Sequence, residues 1–440
     1  MSLSAGVAVR DISPRKPLFL VGYPHEPRIS TGIHDPLLAS ALYLSDGATP
    51  LVLVAVDILF VPAPSVRICR TAISKATGVP SGNILISATH THSGPVTNEV
   101  LAWKNDPVVP PPDPDYLEQL HRGIIEAAVA AHATAEPARL AVTHAIADGV
   151  GGNRLDPNGA FDAEVGLVAI QRQRDNRWLA LNLIYGMHPT VLHEESRLVS
   201  SDFPHFTRRH IAEAFPDLIT LYHLGPCGNL SPRHHVKAQT FAEAERLGRR
   251  LGDSVVRALR SLTPANFCDE LKLAATCREV ELVPNSFPAV AEAEVSLHQA
   301  HERHEQLKQS GASRAKVRTA ECVIFGREEA LTLAQAQASG ELAKWQERYR
   351  SAEVQVLRIG GLFLAALPGE QFVEYGLEIK QRAPRRTFII SLANGELQGY
   401  IVTPEAAVAG GYEAAFALFR PESGERMVNA ALEMMEALRP

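Results

Sequence analysis

The sequence predicts an α/β fold: a mixed β-sheet core with flanking helices and a helical insertion. Three observations predict it. Apolar runs of strand length recur at residues 51–61, 83–87, 179–185, 218–222, 362–367 and 387–392. Amphipathic runs at helical spacing lie between them, at 115–135, 206–214 and 240–262. A different stretch, 289–351, is rich in Ala, Glu, Gln, Lys and Arg. Strands interleaved with helices are the signature of packed α and β layers.

The apolar runs read as strands because they are short and bounded by polar or Gly/Pro segments. Five of them end in chemistry-bearing residues. These segments are His90-Thr91-His92, Gly186-Met187-His188-Pro189-Thr190, Gly225-Pro226-Cys227-Gly228-Asn229-Leu230-Ser231-Pro232, Pro368-Gly369-Glu370 and Ala393-Asn394-Gly395-Glu396. In α/β proteins ligands bind outside the carboxyl ends of strands, so these loops are expected to converge on one pocket. The run 206–214 follows Ser201-Asp202-Phe203-Pro204, where Ser or Asp can cap a helix. Residues 289–351 are strong helix formers that break at Gln309-Ser310-Gly311-Ala312, which predicts a helical hairpin. Its charges read as a solvated face, and it is a candidate lid or oligomer surface. The stretch 106–115, with five prolines, reads as a surface loop near the pocket mouth.

Composition sets limits. The chain has 440 residues, 46% hydrophobic, which is ample for a large core. The net charge is -6 and there is no long basic block, which argues against nucleic acid as a partner. The five cysteines are scattered without a CxxC pair, which argues against a disulfide framework or a cysteine zinc site. No run approaches the ~20 apolar residues of a membrane helix. No basic start followed by an apolar stretch is visible, so the expected compartment is cytoplasmic, or the exterior if the native N-terminus was trimmed.

The segment Ser87-Ala88-Thr89-His90-Thr91-His92-Ser93-Gly94-Pro95 follows the run at 83–87. Side chains two apart on extended backbone share a face, so His90 and His92 are expected to point the same way. Imidazole is the commonest metal ligand and the usual acid–base group near neutral pH. With His188 and Glu370 at other strand ends, His90 completes a donor set suited to Zn²⁺ with an open position for water or substrate. Ser231 sits in a tight, Gly-flanked turn, where it either shapes the turn or acts as a nucleophile once a base or metal lowers its proton affinity. Gly151-Gly152-Asn153-Arg154 places a guanidinium on a loop, where it can bind a carboxylate or an oxyanion. No G-x-S-x-G elbow, P-loop or dinucleotide fingerprint is present.

Together these pieces resemble the neutral/alkaline (non-lysosomal) ceramidase family, specifically its catalytic domain. The matching motifs are Ser87 through Pro95, Gly152-Asn153-Arg154, His188-Pro189-Thr190, Ser200-Ser201-Asp202, Gly228-Asn229-Leu230-Ser231-Pro232, Pro368-Gly369-Glu370, and Asn394 through Gly411-Tyr412-Glu413. The resemblance implies one catalytic domain over 1–440, with the helical stretch 289–351 expected as an insertion within it; as a departure from typical ceramidases, no C-terminal immunoglobulin-like domain is expected. It implies zinc held by His90, His188, Glu370 and Tyr400. It implies Ser231 as the serine that attacks, or helps water attack, an amide carbonyl, with His92 and Arg154 steadying the oxyanion and Tyr412 nearby. The chain departs from the family at Ala407, where tyrosine is common, and at Pro189-Thr190 after His188.

The reading is a zinc-dependent hydrolase of an N-acyl amide, ceramidase-like and linked to sphingolipid or other lipid metabolism, whose substrate need not be ceramide. Its partner is a small-molecule or lipid-like amide. The alternative is a zinc-dependent esterase or lyase acting on a polar or sugar-like substrate in the same pocket, which His193, His205, His234 and His235 would suit. A non-catalytic metal-binding scaffold is disfavoured by the joint presence of His90 and Ser231. Substrate and oligomeric state stay open.

Overall fold

The continuous apolar run that begins at Leu51 does not alternate, because both faces of its strand are covered. In the computed structural model, which describes residues 2–23 and 25–439, this strand spans Pro50–Val56. Met1 and Pro440, the ends of the expected 1–440 domain, lie outside the described residues. Val52, Val54 and Val56 pack toward helices, while Leu51, Leu53 and Ala55 pack toward a second sheet. A strand buried on both sides reads as uninterrupted hydrophobicity.

The larger sheet has eight strands in the spatial order Ile219–Leu224, Trp178–Tyr185, Glu164–Arg172, Glu136–Ile146, Ser4–Asp11, Leu38–Ser45, Pro50–Val56 and Ile84–Ala88. The two outermost pairs are parallel and the inner ones antiparallel. The second sheet has four strands, Leu273–Glu281, Ser351–Ile359, Leu362–Ala366 and Thr387–Ile390, with only the last pair parallel. One face of the large sheet is covered by helices Ala63–Thr77, Pro114–Ala133, Phe203–Ala214 and Phe241–Arg260, through side chains such as Ile73, Ile124, Phe203 and Leu251. Its other face meets the second sheet, with Leu42, Leu85 and Leu221 against Leu357, Leu364 and Ile390. The far side of the second sheet buries Val356, Phe363 and Ile389 under helices Val373–Arg382 and Glu422–Ala437. The result is four layers, helix–sheet–sheet–helix.

The expected α/β class holds. The run at 51–61 is strand only to Val56, and the remainder turns toward the site. The strands Ser4–Asp11, Leu38–Ser45, Glu136–Ile146, Glu164–Arg172, Leu273–Glu281 and Ser351–Ile359 were not anticipated. Small residues, charges and interspersed polar positions weaken the apolar signal in several of them.

The helical stretch leaves and re-enters the second sheet at one point: Glu281 and Ser351 are directly opposed partners in adjacent antiparallel strands. Between them run helices Val290–Gln309, Arg314–Ala338 and Glu341–Arg348. The break falls at Ser310-Gly311-Ala312, with Gly311 in the left-handed region at φ 63°. The hairpin is therefore followed by a third short helix. The long helix is not a wholly solvated face, because Leu333 and Ala334 are buried against the second core. A Cβ at Gly326 would meet the Tyr412 backbone at 3.0 Å, a close approach that glycine eases. No described helix is long and apolar enough to cross a membrane.

Candidate metal and catalytic site

Three imidazoles meet just beyond the end of strand Ile84–Ala88. Ring centroids of His90 and His92 are 4.9 Å apart, those of His90 and His188 also 4.9 Å, and those of His92 and His188 6.0 Å. One ligand nitrogen from each lies within 4.8 Å of the others. Extended alternation is not what aligns them. The strand ends at Ala88, and His90 itself adopts φ 69°, so a left-handed turn carries the pair into the site.

Each ring is fixed through Nδ1. His90 Nδ1–H donates to the Leu59 carbonyl at 2.9 Å, and His92 Nδ1–H to the Gly22 carbonyl at 3.0 Å. His188 Nδ1–H is shared between the carbonyls of Cys227 at 2.7 Å and Leu230 at 2.9 Å. A carbonyl only accepts, so each proton sits on Nδ1 and each Nε2 presents a lone pair. Nε2 of His90 and of His92 is buried without a hydrogen-bond partner among the described residues. Backbone-anchored imidazoles with bare outer nitrogens are the usual dress of metal ligands.

Glu370 closes the group. Its Oε2 lies 3.0 Å from His188 Nε2 and 3.3 Å from His90 Nε2. Burial opposes ionisation of this carboxyl, but His90 and His188 override it and hold it well below the usual carboxylate range. Burial, with Arg154 nearby, pulls His188 down to about 4. Burial and the neighbouring histidines also push His92 well below its ordinary value. Around neutral pH an unprotonated Nε2 therefore faces a carboxylate oxygen at hydrogen-bond distance, a contact that calls for a cation between them. The donor set fits zinc.

Two short pairings bring in the remaining residues. Glu370–Gln371 runs parallel to Tyr400–Ile401 with Glu370 opposite Tyr400. Leu230–Ser231 runs antiparallel to Gly152–Asn153, which sets Ser231 beside the Arg154 loop. Arg154 Nη2 donates to the Tyr400 hydroxyl at 3.0 Å, and its Nε donates to Glu413 Oε1 at 2.6 Å. The Arg154 guanidinium also lies over the rings of Tyr400 and Tyr412, at 5.4 and 6.0 Å. Burial lifts both phenols well above their ordinary range, so both keep their protons. A cavity of about 540 Å³ opens onto His92, Arg154, Ser231, Tyr400 and Tyr412, with His90, His188 and Glu370 buried around the same point. All eight residues singled out from the sequence are thus assembled in one place.

Of the other histidines, His193 and His234 line this cavity. His205 and His235 do not; His205 stands 3.7 Å from buried Asp35 instead. Ala407 lines a different depression, alongside Val402 and Phe419. The 106–113 loop does approach the mouth: Asp106 accepts from the backbone N–H of His25, which lines the cavity.

Several supports escaped sequence reasoning. Gly22, at φ 117°, lies so close to His92 that a Cβ would sit 2.5 Å from Nδ1. Arg28 is 1% exposed and donates to the His92 carbonyl at 2.8 Å and to Ser93 Oγ at 3.3 Å. Asp57, wholly buried, accepts from Thr89 Oγ1 at 3.0 Å and from both terminal nitrogens of Arg208. A carboxylate inside an otherwise apolar run was the signal available for Asp57. No comparable local signal marks Gly22 or Arg28.

Residues 4–210 match the family model described as neutral/alkaline non-lysosomal ceramidase, N-terminal. This segment is ceramidase-like. The fold agrees over the whole chain. A crystal structure of neutral ceramidase from Pseudomonas aeruginosa superposes with TM-score 0.76 at 17% identity, covering 100% of this chain and 75% of that one. A structure described as ceramidase complexed with C2 gives TM-score 0.77 at 18% identity, with the same coverage. No curated protein sequence matches the chain. The ceramidase-like resemblance drawn from the motifs is borne out.

Proposed function

We propose that this ceramidase-like chain is a zinc-dependent hydrolase of an N-acyl amide. The observation that carries the reading is the trio of Nδ1-anchored histidines whose Nε2 atoms converge, that of His188 facing the Glu370 carboxylate at 3.0 Å. His90, His188, Glu370 and Tyr400 would hold the ion, with His92 Nε2 close by. When bound, zinc supplies Lewis acidity that polarises a carbonyl and lowers the proton affinity of an attacking hydroxyl or water.

The chain's own residues account for the rest. Ser231 Oγ, on the cavity wall, is the nucleophile or orients the water that attacks the amide carbon. Its one hydrogen bond among the described residues is accepted from the Arg233 backbone N–H at 3.3 Å, which leaves its own proton free to be given up. His92 suits a proton acceptor better than an oxyanion donor, because the Gly22 bond fixes its proton on Nδ1. Arg154 and the protonated Tyr412 phenol are the donors suited to the negative charge that develops on the carbonyl oxygen. Glu413 and Tyr400 hold the guanidinium in place. The proton taken from the attacking group goes to the departing amine as the C–N bond breaks; where Ser231 itself attacks, a water then cleaves the acyl–serine ester, releasing the acid and restoring the hydroxyl.

The test is metal analysis of the protein beside His90→Ala and Glu370→Ala, followed by hydrolysis assays on N-acyl amides of graded chain length, ceramide included. About one zinc per chain, lost in both variants, with turnover abolished in Ser231→Ala, is the expected outcome. Stoichiometric zinc with no turnover of any amide sinks the reaction assignment. Zinc content untouched by either substitution sinks the site.

A further inference from the structure

The cavity wall beside Ser231 contains a cation that the hydrolytic chemistry leaves unused. Three arginines face this cavity: Arg154, Arg233 and Arg318. Arg154 is neutralised by Glu413. Arg318, on the insertion, is neutralised by Glu194 at 3.2 Å and Glu321 at 2.7 Å. Arg233 enters no ion pair among the described residues; its Nη2 has only the Cys322 thiol, 3.3 Å away on the insertion helix. Lys237, on the same loop, also lines the cavity; its backbone N–H donates to Glu243, and its ammonium forms no ion pair among the described residues. The carboxylates facing the cavity are Glu194 and Glu321, both held by Arg318, and the exposed Glu26.

A half-buried guanidinium offers five donors in a planar fork, and a thiol is a weak acceptor. Leaving such a charge uncompensated in a cavity costs free energy that an anionic ligand recovers. Arg233 is two residues from Ser231 and shares its turn, so an anion held there lies near the bond to be cut. Phe325, Val236 and the rings of Tyr23, Tyr400 and Tyr412, also on the wall, offer apolar surface for an acyl chain.

We propose that Arg233 anchors an anionic group of the substrate, so that the pocket takes an N-acyl compound carrying a carboxylate or phosphate near the scissile amide rather than a neutral two-chain lipid. This rests on the hydrolase reading above. Arg233 is a specificity-determining residue here, distinct from the groups that act on the amide.

The test compares three amides with one acyl chain: an N-acyl amino acid, an N-acyl amino-alcohol phosphate, and the neutral N-acyl amino alcohol. Each is measured with wild-type protein, Arg233→Leu and Arg233→Lys, all zinc-loaded. Wild type should favour one of the anionic amides, and which one identifies the anion. Arg233→Leu should lose about 10- to 100-fold in kcat/KM on that amide, at least tenfold more than on the neutral one, with partial rescue by lysine. Equal losses on charged and neutral amides, or a wild-type preference for the neutral one, overturn the proposal. Calorimetric binding to Ser231→Ala protein separates the two claims. Arg233-dependent binding of an anionic amide that wild type never cleaves upholds the anchor and removes the hydrolase reading. Cleavage of neutral amides with no Arg233-dependent binding of anionic ones does the reverse.

Discussion

His188 Nε2 lies 3.0 Å from Glu370 Oε2 while two backbone carbonyls hold the proton of the same ring on Nδ1. The pair is built to share something positively charged. Chelator treatment is expected to lower the melting temperature, and added zinc to restore it. At a hundredfold excess over Kd the gain is about 2.7 kcal/mol. His188→Ala and Glu370→Ala should lose this response in calorimetric scans. A response that persists in both places the ion elsewhere.

Gly22 controls how His92 is aimed. Gly22→Ala puts a methyl group 2.5 Å from His92 Nδ1 and strains a backbone at φ 117°. The ring must rotate away from the Gly22 carbonyl. Loss of such an orienting contact typically costs 10- to 100-fold, so turnover should fall by about that much with the circular dichroism spectrum retained. Turnover within about twofold of wild type would show that the ring's orientation is immaterial.

Asp57 anchors the turn that delivers His90. It accepts from Thr89 and makes a two-point pair with Arg208, whose Nη2 also reaches Ser201 Oγ at 2.8 Å. Asp57→Ala leaves a buried guanidinium unpaired and should destabilise the fold by about 3–5 kcal/mol in urea unfolding. Adding Arg208→Leu should recover part of that loss. A loss below about 1 kcal/mol would mean the pair is incidental.

Glu329 gives the insertion a pH signature. Its Oε1 accepts from Trp103 Nε1 at 2.7 Å, while Oε2 is buried without a hydrogen-bond partner among the described residues. Burial raises this carboxyl from 4.5 to about 8. The folded protein therefore binds a proton there that the unfolded chain releases between those values, so stability is full below the lower one and declines as pH rises toward the upper one. The decline is at most about 1.4 kcal/mol per pH unit. Urea unfolding of wild type and Glu329→Gln from pH 5 to pH 8 should diverge in the variant's favour. Parallel curves would mean that Glu329 is ionised throughout.

The strand-end motifs were legible because they pair an apolar run with residues whose chemistry is local to a few positions: His90 and His92, His188, Ser231, Glu370. That the chain is α/β could be read from the order of its apolar and amphipathic runs, and its motifs carried the resemblance to the ceramidases. Extended alternation would align His90 and His92, but a left-handed turn at His90 brings them together instead.

What the sequence by itself determined is the inventory: apolar segments long enough for strands, a hairpin of strong helix formers, and donors in family order. Only the tertiary structure decided that two sheets stack face to face, because a strand covered by helices and one covered by another sheet carry the same apolar pattern. It also decided which nitrogen of each histidine is free, because the carbonyls of Leu59, Gly22, Cys227 and Leu230 that hold the Nδ1 protons come from segments far apart in the chain. The uncompensated charge of Arg233 belongs to the same class. A charge is visible in any sequence, but whether it has a partner depends on distances that exist only after folding.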